Sequence, residues 1–148
     1  MRINRSMNWE VDRPKDREVQ DLEDICREIS ETRSLTNAQV NRLRVLFGNR
    51  FENAWKVLNE NRVKKYIFHP SDRVVWIVVG KERDYHVIPE VNYCGCDDFY
   101  FRVVEGLAPL CYHIIAQKLA DASSLYELFE ESDELYGFLM KEWREFKE

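Results

Sequence analysis

Residues 93–101 read YCGCDDFYF and residues 110–120 read LCYHIIAQKLA. Together these two stretches form a C-x-C-x14-C-x-H pattern whose four metal-binding side chains are Cys94, Cys96, Cys111 and His113. Three thiolates and one imidazole make a closed tetrahedral set that suits a structural zinc ion. We expect the first pair at a strand end or turn, with Gly95 relieving the backbone, and the second pair at the first turn of a helix. The sequence therefore predicts one structural Zn2+ held by these four residues.

The same residues admit three other interpretations. Cysteine is often only a small buried hydrophobic residue, and a lone histidine can be a satisfied core residue. A Cys111–His113 nucleophile is disfavoured because residues two apart on one helical turn diverge and no orienting group follows from the sequence. A redox pair of Cys94 and Cys96 leaves the other two residues without a role. With four protein ligands no position remains for an activated water, so we expect a protein that is not an enzyme.

The chain before the first cysteine pair changes from a helical to a strand-like pattern. Segments rich in β-branched and aromatic residues lie at residues 63–68, 73–79 and 85–88, separated by turn-forming residues. They predict a small three-stranded antiparallel sheet. The middle segment shows little polar–apolar alternation, so we expect it to be covered on both faces.

Helical spacing of apolar residues dominates the rest of the chain. Three short helices are predicted in the N-terminal half, with a capping box formed by Thr36 and Gln39 and a helix end at Gly48. Asp97 or Asp98 is expected to cap a short helix that ends near Val104. The predicted fold class is α+β in one globular domain, comprising an N-terminal arm (1–16), a helical region (17–61), a β-meander with the zinc site (62–122) and an acidic C-terminal helix (123–148).

Composition describes an ordinary globular chain of 148 residues with a net charge of −5. That average conceals two dissimilar regions, because residues 33–83 carry eleven basic and four acidic side chains whereas residues 121–148 carry three and nine. No apolar run approaches the ~18 residues of a membrane span, and the first residues lack the apolar core of a signal peptide. We therefore expect no membrane association and a cytoplasmic protein, nucleoid-associated in an archaeon or nuclear in a eukaryote.

Two further surfaces are candidates for binding. Arg62, Lys64 and Lys65 are the best local cluster for tracking single-stranded DNA, although the same charges could simply solvate the outer faces of strands. The C-terminal helix carries more apolar residues than docking on a small core requires, namely Leu135, Phe138, Leu139 and Trp143. Those residues either pack within the chain or form an interface with a partner or a second copy.

The ligand pattern resembles the SWIM zinc-finger signature, and the resemblance covers about residues 62–120. More narrowly, the chain is similar to small stand-alone archaeal SWIM proteins and to the SWIM subunit of the eukaryotic Shu-type recombination complex. The matching residues outside the ligands are Phe99, Phe101, Leu110, Ile114, Ile115 and Ala116. Gly95, Asp97 and Asp98 depart from the small or proline residues often seen there, and the acids disfavour direct DNA contact by the finger.

What the resemblance implies is a non-enzymatic accessory protein of homologous recombination and DNA repair. It implies a RecA/RadA-type recombinase paralogue as the protein partner. Independently of the resemblance, the basic cluster makes single-stranded DNA a further candidate, and the apolar C-terminal helix makes a homodimer another. The alternatives are a zinc module that binds single-stranded nucleic acid directly, or a SWIM interaction module of an unrelated ubiquitin-ligase or transposition complex.

Overall fold

The computed structural model describes residues 14–144 of the chain. Three helices open this part: α1 (Pro14–Thr32), α2 (Asn37–Phe47) and α3 (Asn49–Asn59). The predicted capping box is confirmed, since the Thr36 hydroxyl accepts from the Gln39 backbone N–H and the Gln39 side chain accepts from the Thr36 N–H. Gly48 separates α2 from α3 at φ 57° and ψ −126°, a conformation that requires glycine. Of the predicted arm, residues 1–13 lie outside the described residues.

One mixed sheet follows, with five strands: β1 (Val63–His69), β2 (Arg73–Val79), β3 (Asp84–Ile88), β4 (Tyr93–Cys94) and β5 (Glu127–Ser132). Their order across the sheet is β4-β3-β2-β1-β5. Neighbouring strands are antiparallel except β5, which runs parallel to β1. The predicted meander is present as β1 to β3, but a count of three strands was wrong. β4 has only two residues, too few to show a period.

The C-terminal region also differs from its prediction as one helix from residue 123. Residues 127–132 form β5, a 3-10 turn follows at Asp133–Leu135, and helix α6 spans Tyr136–Arg144. Tertiary pairing explains the strand, because Lys64 of β1 pairs with Glu127 and the Tyr66 and Phe129 rings stack at 5.0 Å. Burial along β5 alternates with a period of two, as expected for a strand with one covered face. Residues 145–148 lie outside the described residues.

Two more helices lie between β4 and β5. They are α4 (Asp97–Val104) and α5 (Tyr112–Ser123), and a 3-10 turn at Pro89–Val91 precedes β4. Helix α5 is central to the main core and packs against both α1 and α3. Its buried face includes Ile114, Ile115 and Leu119, all fully buried. Within residues 14–144, no helix is long and apolar enough to cross a membrane.

Both faces of the sheet are covered, which confirms the expectation for the middle strand. Four consecutive residues of β2, from Val75 to Val78, are buried. Trp76 and Val78 belong to the main core under the helices. Val75 and Ile77 face a second cluster with Phe68 and Met140, over which α6 packs. These four consecutive residues can therefore all be apolar without exposing a hydrophobic surface.

Candidate metal centre

The four predicted ligands converge at one buried site. The sulfur atoms of the three cysteines and a ring nitrogen of His113 all lie within 4.8 Å of one another, and all four residues are buried. The Cys111 Sγ atom is 3.9 Å from His113 Nδ1. In a tetrahedral zinc site the ligand atoms are about 3.5–3.8 Å apart. The donor set, its burial and its spacing therefore fit one zinc ion after a small contraction.

Each ligand occupies the end of a secondary-structure element. Cys94 ends β4, where it is paired with Val87 of β3. Cys96 is the N-cap of α4 and Cys111 is the N-cap of α5, while His113 lies in the first turn of α5. The site thus joins the edge of the sheet to the starts of two helices, as the spacing predicted in outline.

Two details of that prediction were wrong. Asp97 and Asp98 do not cap α4; the Cys96 sulfur does, accepting a hydrogen bond from the Phe99 N–H at 3.3 Å. Gly95 is not needed to relieve the backbone, since it has no left-handed φ and an added Cβ would meet only the Tyr93 hydroxyl at 3.7 Å. A thiolate at an N-cap serves as cap and ligand together, a double role that favours Cys96 over a neighbouring aspartate.

The electrostatics of the site strongly favour ionisation of one cysteine, whereas ionisation of the other two requires a bound cation. The pKa of Cys96 is lowered because the Cys111 and Cys94 thiols and the Phe99 N–H all donate to its sulfur. The pKa of Cys94 is raised by its hydrogen bonds to Cys111 and Cys96 and by burial. For Cys111, the interaction with Cys94 lowers the pKa, but Cys96 and burial outweigh it and raise the pKa to about 12. A divalent cation would offset the repulsion among three buried thiolates.

The helix N-termini at the site add positive potential. The first-turn Phe99 N–H of α4 donates to the Cys96 sulfur, and the Ile114 N–H of α5 lowers the pKa of Cys111. Helix dipoles favour negative charge at this end by about 0.3–1 kcal/mol each. A zinc ion bound to three thiolates and a neutral imidazole carries a net charge of −1, so these donors suit the loaded site.

Aromatic rings and one arginine enclose the ligands. The His113 ring contacts Tyr85, at a centroid distance of 4.4 Å, and Tyr112, at 4.1 Å. Its buried Nε2 has no hydrogen-bond partner among the described residues. The Arg83 guanidinium donates to the Gly95 carbonyl at 2.7 Å and lies over the Tyr85 ring. Sequence reasoning did not assign Arg83 and Tyr85 to the metal site, because only the pairing of β3 with β4 places them there.

The residues proposed for nucleic-acid binding are all engaged within the chain. Arg62 donates to the Val79 carbonyl at 3.0 Å, and Lys64 pairs with Glu127 and donates to the Asn61 carbonyl. The Lys65 ammonium lies 5.3 Å from the Trp76 ring centroid and 5.4 Å from that of Tyr126. Arg62, Lys64 and Lys65 therefore do not present a shared, unpaired cationic surface.

The predicted interface residues of the C-terminal helix separate into two groups. Leu139 and Trp143 pack over the second core cluster beside Met140. Leu135 and Phe138 remain 44% and 64% exposed. Much of the apolar excess of this helix is thus used to cover the sheet.

Cys26 stands apart from the metal ligands. It is half-buried against the main core, and its thiol donates to the Lys118 carbonyl at 3.6 Å. Burial raises its pKa to about 12, which disfavours the thiolate form.

Comparison with known proteins agrees with this chemistry. No family model and no solved structure matches the chain. The zinc finger SWIM domain-containing protein 7 homolog of Dictyostelium discoideum is 25% identical over 118 residues, which is 78% of this chain and 76% of that protein. An uncharacterized protein of Archaeoglobus fulgidus is 32% identical over 84 residues, covering 57% of this chain and 65% of that protein, just under two thirds of its length. The distant similarity and the cluster of three cysteines and one histidine fit the SWIM zinc-finger family.

Proposed function

We propose that this chain is a non-enzymatic, zinc-stabilised accessory protein of homologous recombination and DNA repair. In this proposal it acts by contact with a RecA/RadA-type recombinase paralogue, in the cytoplasm or nucleus according to the cell type. The observation that carries the proposal is the closed, buried ligand set. Four protein donors complete a tetrahedral shell, which is typical of structural rather than catalytic zinc.

The role of the ion in this proposal is mechanical. Bound zinc supplies a cross-link between the end of β4 and the starts of α4 and α5. Cys94 and Cys96 hold the sheet side, and Cys111 and His113 hold the start of the central helix. The Phe99 and Ile114 N–H groups stabilise the negative charge on the sulfurs. Together these residues fix the direction in which α4 leaves the sheet, so the surface of that helix is pre-organised.

The recombination assignment is supported by the resemblance around the ligands and by the similarity to a protein named for its SWIM domain. Tagged, zinc-loaded protein should therefore recover a recombinase paralogue from a lysate of its own cells, identified by mass spectrometry. The matched control is the Cys111→Ser variant, which should lose the paralogue along with the metal. Recovery of ubiquitin-ligase or transposition components instead would contradict the recombination assignment and leave the zinc module intact.

A second candidate function is direct binding of single-stranded nucleic acid. A cavity of about 330 Å³ between β3 and α6 is lined by Arg83 and Arg144 together with Tyr93 and Trp143. Cations beside aromatic rings are the features that track a single strand. An oligothymidine should then bind the isolated protein with an affinity that falls as salt rises, and Arg144→Gln should reduce that affinity more than Lys65→Gln does. Equal affinities for the two variants would contradict this location.

A further inference from the structure

Helix α4 exposes an unusually apolar surface. Tyr100, Phe101, Val103, Val104 and Leu107, the residues of the α4 patch, are each between 46% and 63% exposed. No residue of α4 is fully buried. Five large apolar side chains within eight residues of chain are far more than the isolated exposed residues common on soluble proteins. The α4 patch is therefore a surface whose exposure needs a reason.

The helix that carries the patch is fixed at both ends by polar contacts. Its start is the Cys96 cap at the metal centre. Near its end, Arg102 donates from Nε to the Ala108 carbonyl at 2.7 Å, and its guanidinium lies 3.9 Å from Glu18 of α1. Glu18 also forms a two-pronged ion pair with Arg50 of α3. These ties, together with Phe99 packed against the main core, position α4 while the residues of the α4 patch stay exposed.

The exposed charged residues in the segment that carries the patch are acidic. Asp97, Asp98 and Glu105 are all exposed, beside the apolar residues or at the helix start. Arg102 is the only cation between residues 90 and 117, and its contacts with Ala108 and Glu18 occupy it. Asp97 and Asp98 also interact favourably with the positive end of the helix dipole, but the edge of the α4 patch remains negative. The complementary surface is thus apolar at its centre and basic at its edge.

We propose that the α4 patch is the docking surface for a partner protein, and that the docked segment carries aromatic or aliphatic residues flanked by Lys or Arg. This docking proposal rests on the proposed function only in naming a recombinase paralogue as the class of partner. The patch is favoured over α6 because α6 exposes only Phe138, with Leu135 exposed in the turn before it, after the other apolar residues of the helix have covered the sheet. Zinc acts on this interface through the Cys96 cap, which sets the position of α4.

Photo-crosslinking tests the surface without assuming who the partner is. Full-length protein carrying p-benzoylphenylalanine in place of Phe101 is irradiated in its own cells, with the same replacement at Val45 and at Phe138 as exposed controls. The expected result is one adduct specific to position 101, whose linked peptide is apolar with Lys or Arg neighbours. An adduct with a second copy, an adduct with residues 1–13 of the same chain, or no specific adduct would each overturn the proposal.

Binding measurements then separate this inference from the proposed function. The partner identified by the adduct is titrated by calorimetry against zinc-loaded wild-type protein and the Phe101→Asp/Val104→Asp variant. Two lost anchor residues should weaken binding by roughly 30-fold or more, whereas Leu135→Asp/Phe138→Asp should change it less than about 3-fold. Equal zinc content and melting temperature exclude a folding defect. If a protein other than a recombinase paralogue binds through the patch, the recombination role is refuted and the docking surface stands. If a paralogue binds with an affinity that the patch substitutions do not change, the docking surface is refuted and the recombination role stands.

Discussion

Two parts of the molecule are held in place in different ways. One is the metal-centre layer at the edge of the sheet, and the other is the outer layer that includes α6. The metal-centre layer, residues 93–113, contains α4, which has no fully buried residue and is held by its capping thiolate, by Arg102 and by the half-buried Phe99. The outer layer, β5 with α6, is held by packing of Met140, Leu139 and Trp143 on the sheet. Metal removal should therefore loosen the metal-centre layer and leave the outer layer intact, whereas truncation of a buried residue in the outer layer should do the reverse.

The largest effect is expected from Cys111→Ser. Cys111 makes no side-chain capping hydrogen bond and serine is a favoured N-cap residue, so the change removes mainly a metal ligand. Structural zinc supplies on the order of 10 kcal/mol in small zinc folds, so unfolding free energy should fall by about 5 kcal/mol or more. Zinc content by atomic emission and thermal melting measure both consequences together.

Cys26→Ser is the matched control for that substitution. It makes the same chemical change at a half-buried cysteine outside the cluster, so zinc should be retained at a cost of about 1 kcal/mol. If Cys111→Ser retained zinc and melted at an unchanged temperature, zinc would not be what holds the metal-centre layer in place.

An intermediate effect is expected from Met140→Ala in the outer layer. Met140 is buried between α6 and the sheet, and truncating a buried methionine costs about 2–4 kcal/mol. Zinc content should not change, because α6 contributes no ligand. Chemical denaturation with zinc analysis checks this, and the exposed neighbour Phe138→Ala should alter stability by less than about 0.5 kcal/mol. Loss of zinc from Met140→Ala would show that the two layers are coupled.

The smallest effect concerns pH at the seam between β1 and β5. The pKa of His69 is raised, first by its hydrogen bond to Glu130 at 2.7 Å and further by Asp72. Because the folded-state pKa is above 6.5, the stabilisation is fully present below that pH and disappears as the pH rises through the folded-state pKa. By contrast, burial and Arg144 lower the pKa of His86. NMR titration should find His69 protonated at higher pH than His86; the opposite order would contradict this seam.

The ligand set and the strands β1 to β3 could be predicted because their signals are local. Ligand chemistry restricts which residues can hold zinc, and β-branched runs between turn residues mark strands over a few positions. The cap of α4 was misassigned because aspartate is the usual capping residue, whereas here the Cys96 sulfur accepts the N–H of Phe99.

What could not be predicted depends on residues far apart in the chain. Strand β5 exists because β1 offers an edge to it, more than fifty residues away in the sequence. Lys64 resembles a DNA-contacting residue until that pairing brings Glu127 beside it. The acidic, helix-compatible composition of residues 127–132 contains no local sign of either contact. Tertiary pairing thus overrode helical propensity in this segment.

The structural zinc centre is tested most directly by measuring the metal content and the metal geometry of the cluster in purified protein. Native mass spectrometry should find one zinc ion per chain, and cobalt substitution should give the absorption bands of a tetrahedral site with thiolate ligands. Both signals should disappear in Cys94→Ser and persist in Cys26→Ser. Two results would contradict a structural zinc centre at these residues. One is a metal-free protein that melts identically with and without added zinc, and the other is a zinc ion retained by Cys94→Ser.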